Sequence, residues 1–169
     1  MLWTSWAAYQ RNEHPSSYII IEWDKKHEHL INGEIGKPDH QASWEALMYV
    51  IAIKTWVDKQ TVGKITMIGD ASGVIFDLIA MKAKSDVVNN LLKEAAMHLA
   101  PLGLDLFGVH IWAERNTAAD QLSRASREGR LPDWLRRSTA TPSMPTSSEA
   151  NDWPHCSSER RQLAPAWLT

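Results

Sequence analysis

Hydrophobic and polar positions along this chain switch between two periods, and each switch marks an element. Tyr18-Ile19-Ile20-Ile21-Glu22-Trp23 is β-branched and aromatic and follows the turn residues Pro15-Ser16-Ser17, which predicts a strand. Lys25 to Asp39 is polar and contains Gly33, Gly36 and Pro38, the composition of a connection. Asp39 suits a helix cap. Beyond it Trp44, Leu47, Met48, Ile51 and Ala52 fall at i, i+3, i+4, i+7 and i+8, so a helix is predicted as far as Val57. Thr61-Val62-Gly63 turns the chain into the strand Lys64-Ile65-Thr66-Met67-Ile68-Gly69, and Asp70-Ala71-Ser72 opens a helix towards Ala83. Ser85 caps another, with Val87, Val88, Leu91, Leu92, Ala95 and Leu99 on one face and Pro101 and Gly103 at its end. Leu104 to Ile111 is a further strand. Asn116 is placed to cap a last helix containing Ala118, Ala119, Leu122 and Ala125, with Arg124 and Arg127 near the end where positive charge suits the dipole.

Strand, helix, strand, helix, helix, strand, helix is the order of an α/β domain. In such sheets functional groups gather at the carboxyl ends of strands, where Asp70 falls. The stretch 128–169 is rich in Pro, Ser and Thr, most clearly at Thr141-Pro142-Ser143-Met144-Pro145-Thr146-Ser147-Ser148, and is expected to be mostly disordered.

Composition narrows the function classes. The 169 residues, 44% of them hydrophobic, suffice for one core. A formal net charge of -2 and a pI near 6.4 give no global electrostatic case for nucleic acid, so any phosphate contact must be local. The single cysteine, Cys156, excludes an internal disulfide framework and a Cys-rich zinc module, and fits a reducing compartment. No apolar run approaches the roughly 18 residues of a membrane span, and the first residues lack the pattern of a signal peptide. The expectation is a soluble, intracellular chain with no membrane partner. The nine tryptophans follow no fixed period and so indicate no repeat.

Three acids stand out, and each has an ordinary structural role beside a functional one. Glu45 sits at the edge of its helix's apolar stripe, where it either reaches water, favours the first turn electrostatically, or holds a cation. Asp70 stands between a strand and a helix, a place equally suited to capping and to cation binding. Asp120 lies in the first turn of the last helix, where acids are favoured by the dipole.

Taken in order, Trp44-Glu45-Ala46-Leu47, then Gly69-Asp70-Ala71-Ser72-Gly73-Val74, then Val109-His110-Ile111 followed by Asn116-Thr117-Ala118-Ala119-Asp120-Gln121-Leu122-Ser123-Arg124, are similar to the ribonuclease H domains of retroelement reverse transcriptases. The final string is the most specific. The resemblance covers about Tyr18 to Arg127 and implies an α/β ribonuclease H-like fold, a mixed sheet flanked by helices, over residues 18–127. It implies that Glu45, Asp70 and Asp120 are catalytic ligands of two divalent ions, Mg2+ or Mn2+, which activate water and stabilise the leaving oxygen in phosphodiester hydrolysis. It further implies Ser72, Asn116 and Arg124 as nucleic-acid contacts, an RNA–DNA hybrid as the partner whose RNA strand is cut, and an upstream reverse transcriptase domain.

The chain departs from the family at its beginning. The family's first strand carries an Asp-Ala-Ser or similar segment followed by glycines, and that aspartate bridges both ions. Met1 to Ser17 has Glu13 but no aspartate and no glycine. Residues 1–17 are therefore expected to be a degenerate or truncated first-strand region, with Met1-Leu2-Trp3 its trailing end and Tyr18 to Trp23 a later strand of a hairpin meander. Cleavage is expected to be impaired, and the alternatives are a non-catalytic nucleic-acid-binding module or an inactive structural relic.

Other groups have stronger structural roles than functional ones. His110 on its strand reads as packed or hydrogen-bonded. Lys82, Lys84 and Lys93 read as a solvated helix face with a phosphate patch as the alternative. His27, His29, His40 and Asp39 have no standard zinc spacing. Arg124, Arg127, Arg130, Arg136 and Arg137 make the end of the last helix and the stretch after it basic, which suits either nucleic acid or a soluble tail.

Overall fold

A computed structural model describes residues 5–11, 15–58, 61, 63–128, 133 and 141–142. Helices and strands are mixed, in agreement with the α/β class expected from the sequence. The chain divides into two compact units, residues 37–117 and the combination of 1–36 with 118–169.

The first unit to be described is residues 37–117. Its longest element is α1 (Pro38–Trp56), which starts one residue before the predicted cap. Lys37 occupies the cap position and makes no side-chain cap bond, and Pro38, whose fixed φ suits the first helical residue, does the initiating. Asp39 is thus a first-turn acid. The five stripe residues are all buried, but so are Ala46, Val50 and Ile53, and the helix is apolar over most of its circumference. Strand β3 (Lys64–Gly69) has the predicted bounds, and α2 (Ser72–Ala80) follows it. Met81 closes α2 at φ 48°, a left-handed conformation that lets its amide meet the carbonyls of Asp77 and Leu78. Ser85 then caps α3 (Asp86–Leu99) as expected, its hydroxyl accepting from the Val88 amide at 3.5 Å. Pro101 and Gly103 end that helix through a single 3-10 turn, with Gly103 at φ 63°.

Strand β4 (Asp105–His110) lies parallel to β3 with Lys64 opposite Asp105 and Gly69 opposite His110. α1 packs against α3 and α2, and α2 against β3 and β4. The α2 contact is close: a Cβ on Gly108 would collide with the side chains of Ile75 and Ile79. The sheet's other face carries Thr66, Ile68, Phe107 and Val109, all exposed, with the Lys64 ammonium 5.2 Å from the Phe107 ring centre.

In the other unit, β1 (Ser5–Arg11) and β2 (Pro15–Glu22) form an antiparallel hairpin, with Ser5 opposite Glu22 and Tyr9 opposite Tyr18. The strand foreseen from Tyr18 therefore begins three residues earlier, and the stretch 5–11, for which no strand of its own was predicted, is one. Tyr18, Ile19, Ile20 and Ile21 are all buried, the mark of a strand covered on both faces. The polar connection after it contains a 3-10 helix, Lys25–Leu30, capped reciprocally by Asp24 and His27. Helix α4 (Thr117–Glu128) buries Leu122 and Ala125, as its pattern indicated. A short strand, β5 (Thr141–Pro142), runs parallel to β2 within the segment expected to be disordered. Residues 143–169, Cys156 among them, lie outside the described residues, as do Met1-Leu2-Trp3.

One mixed sheet was expected, and among the described residues there are two, β1-β2-β5 and β3-β4.

Candidate functional site

The carboxyl end of β3 is where the sequence candidates converge. Gly69 is the last residue of the strand, and its carbonyl accepts from the Ile111 amide at 2.8 Å, carrying the ladder one residue past β4. Asp70 follows, exposed. The cap position of α2 is Ala71, so the capping role open to Asp70 in the sequence is not the one it takes. Its carboxylate instead accepts from the Asn116 side-chain amide at 2.9 Å, across 46 residues of chain. Asn116 reaches it because β4 is followed by a 3-10 turn, Ala113–Arg115, whose end Asn116 forms. Ser72, two residues after Asp70, is exposed at the first position of α2.

Glu45 enters from α1. It is half-buried, and one oxygen accepts from the Gln41 amide one turn earlier, at 2.9 Å. Burial raises its pKa above the ordinary carboxylate value; the Gln41 bond works against this, and the charge of Asp70 adds to it. Glu45 and Asp70 are thus close enough to repel. Among the described residues neither makes an ion pair, and the polar groups that meet them are neutral amides. Tyr49, one turn after Glu45, completes the cluster. Its hydroxyl lies where a Cβ on Gly69 would stand, and its ionisation is pushed up by burial first and then by Glu45 and Asp70.

Glu45 and Asp70 offer carboxylate oxygens, the donor type that a hard divalent ion such as Mg2+ or Mn2+ takes. The pair is incomplete as a cage: among the described residues, no three His, Cys, Asp or Glu side chains form a group that could hold a metal ion. A bound ion would draw further ligands from water, as Mg2+ usually does.

Asp120 and Arg124 belong to the other unit. There the Arg124 guanidinium donates to the Asp120 carboxylate at 3.0 Å, an i, i+4 pair in the first turns of α4. His27 is buried with Nδ1 2.9 Å from the Asp24 carboxylate, and its ring meets that of Trp23 edge-on. Lys82, Lys84 and Lys93 are exposed, with Lys93 donating to Asn90 at 3.3 Å. His110 is exposed rather than packed in the core, its ring 5.4 Å from that of Trp112, which is 68% exposed. The side chain of Arg127, together with Arg130, Arg136 and Arg137, lies outside the described residues.

Sequence reasoning passed over Gln41 and Tyr49. The signal was present: Gln41, Glu45 and Tyr49 are spaced at i, i+4 and i+8, which places them along one line of the helix. No helix among the described residues is long and apolar enough to cross a membrane. Comparison of the chain with protein-family models, with curated proteins and with solved structures gives no match.

Proposed function

We propose that the chain is a ribonuclease H-like domain of retroelement descent whose Glu45 and Asp70 bind a divalent cation, with RNA–DNA hybrid as the ligand class. The observation that supports this reading most is the grouping of Glu45, Asp70 and Asn116 at the carboxyl end of β3, from three separate elements, with Asp70 held by Asn116 instead of capping α2. When bound, Mg2+ or Mn2+ supplies activation of water and stabilisation of a leaving phosphate oxygen. Asn116 fixes the Asp70 carboxylate through one oxygen, and Gln41 fixes Glu45 in the same way. These amides orient the acids without neutralising them, so the negative charge stays available to a cation.

Two carboxylates provide fewer ligands than a pair of divalent ions requires, so cation and hybrid binding are proposed to persist where cleavage is weak. The binding-only form of the proposal draws on exposed Trp112, which sits on the same turn as Asn116 and offers a ring for stacking. Asp120 is retained as a sequence candidate.

The test is hybrid cleavage and hybrid binding measured together in Mg2+ and in Mn2+, with Glu45→Gln, Asp70→Asn and Asp120→Asn. Binding that weakens with salt, with any cleavage lost in the first two variants, is the expected outcome. A chain that neither binds nor cuts hybrid at low salt would overturn the proposal.

A further inference from the structure

We propose that Tyr49 is the positioning residue of the acid pair, a rigid spacer on α1 that bears on Gly69 and thereby sets Glu45 against Asp70; this rests on the cation-binding reading above. Glu45 and Tyr49 are one helical turn apart, and Gly69 immediately precedes Asp70. The Tyr49 hydroxyl fills the space that a side chain on residue 69 would occupy, with its Cζ 3.1 Å and the Ile75 Cδ1 3.6 Å from the same point. A single side chain from the helix of one acid therefore rests on the backbone that carries the other. Tyrosine suits this part because its ring is long, flat and turns about only two torsions, so its reach is nearly fixed.

Glycine at 69 is the matching half. Any Cβ there would drive into the phenol. Burial first, and then the two carboxylates, push the ionisation of the hydroxyl upward. Groups hydrogen-bonded to metal ligands change affinity by about 10- to 100-fold when removed, and a spacer that acts through the backbone is expected at the lower end of that range.

The experiment titrates manganese(II) chloride into the full chain and reads affinity calorimetrically and by the rise in melting temperature, beside the melting temperature without metal. Gly69→Ala is expected to weaken Mn2+ binding about tenfold, Tyr49→Leu by a similar factor, and Tyr49→Phe by about twofold or less. The double variant Gly69→Ala with Tyr49→Phe is expected to regain affinity, because the atom struck first by the new methyl is gone. That recovery is the part a merely structural contact does not give, since it must appear in affinity when both variants are compared at equal metal-free stability. Wild-type affinity in Tyr49→Leu overturns the spacer, and that variant carries the test if Gly69→Ala does not fold. Failure of the cation reading looks different: wild type and Glu45→Gln both ignore Mn2+, and the spacer falls with it.

Discussion

The clamp between α1 and α3 gives the clearest test of the packing in residues 37–117. Lys54 near the end of α1 donates to Glu94 on α3 at 2.7 Å, and its side chain is only 9% exposed while that of Glu94 is 42% exposed. Glu94 stands one turn before His98, whose ring meets the Val57 carbonyl at 2.6 Å, so two polar contacts tie the same helix ends. The ion pair lies between two regimes. Exposed pairs contribute about 0–1 kcal/mol, and removing one partner of a fully buried pair costs about 3–5 kcal/mol. Lys54 is deep, but Glu94 is wet enough that solvent screens much of the attraction, which places the coupling at about 1–2 kcal/mol. A double-mutant cycle with Lys54→Met and Glu94→Gln, followed by urea denaturation, measures it. Glu94→Gln alone is expected to be the costlier change, because it takes a negative charge away from a deeply placed ammonium, whereas Lys54→Met fills the same space with an apolar chain. At this chain length 1 kcal/mol corresponds to about 2–4 °C in melting temperature. A coupling under about 0.3 kcal/mol, within the error of additivity, would show that the two charges do not depend on one another.

Three further outcomes are expected. Glu45 has a folded pKa above its ordinary value of 4.5, so its contribution is most favourable below that pH and is lost as pH rises through the higher folded value; stability of wild type minus that of Glu45→Gln should therefore fall from about pH 4.5 upward, and a flat difference would refute the burial argument. The Asn89 side chain bridges the amide and carbonyl of Ala83, both at 2.7 Å, and Asn89→Ala should cost about 1–3 kcal/mol by leaving those groups unpaired, read by denaturation with no change at the acid pair. Gly108→Ala should cost about 1–3 kcal/mol by overpacking β4 against Ile75 and Ile79, and trimming Ile79 to Val should return part of it.

Elements that depend on local pattern were legible. β3 has its predicted bounds, α3 has its predicted cap at Ser85, and α4 buries Leu122 and Ala125 of the four apolar residues expected in it. What the sequence hid was settled by contacts between distant residues. The cap of α1 was read as Asp39, yet Pro38 at the first helical position shifted the start, because a ring that presets φ outweighs a side chain that would have to bond an amide. The strand at 5–11 carries no alternation of the kind seen in β3 and forms through pairing with β2. For the site, the residue types were readable and their relations were not. Asp70 is a sequence candidate for capping or for cation binding; the structure puts Ala71 at the cap and gives the Asp70 carboxylate a donor in Asn116, from 46 residues away.

That distinction bears on the chemistry because of what the partner is. Had Asp70 met an arginine or lysine, the pair would have been satisfied and Glu45 would have felt little of its charge. Asn116 instead gives Asp70 a donor without a charge, and Gln41 does the same for Glu45. Desolvation and mutual repulsion then fall on Glu45, the deeper of the two acids, and raise its proton affinity. A site arranged in this way is less stable empty than its neutral isosteres would be, and the deficit is removed by whatever brings positive charge between the acids. Protons do so at low pH. At neutral pH the proposed cation would do the same, and the comparison of Glu45→Gln with wild type, with and without Mn2+, separates the two: the variant should be the more stable protein without metal and should lose that advantage as metal is added.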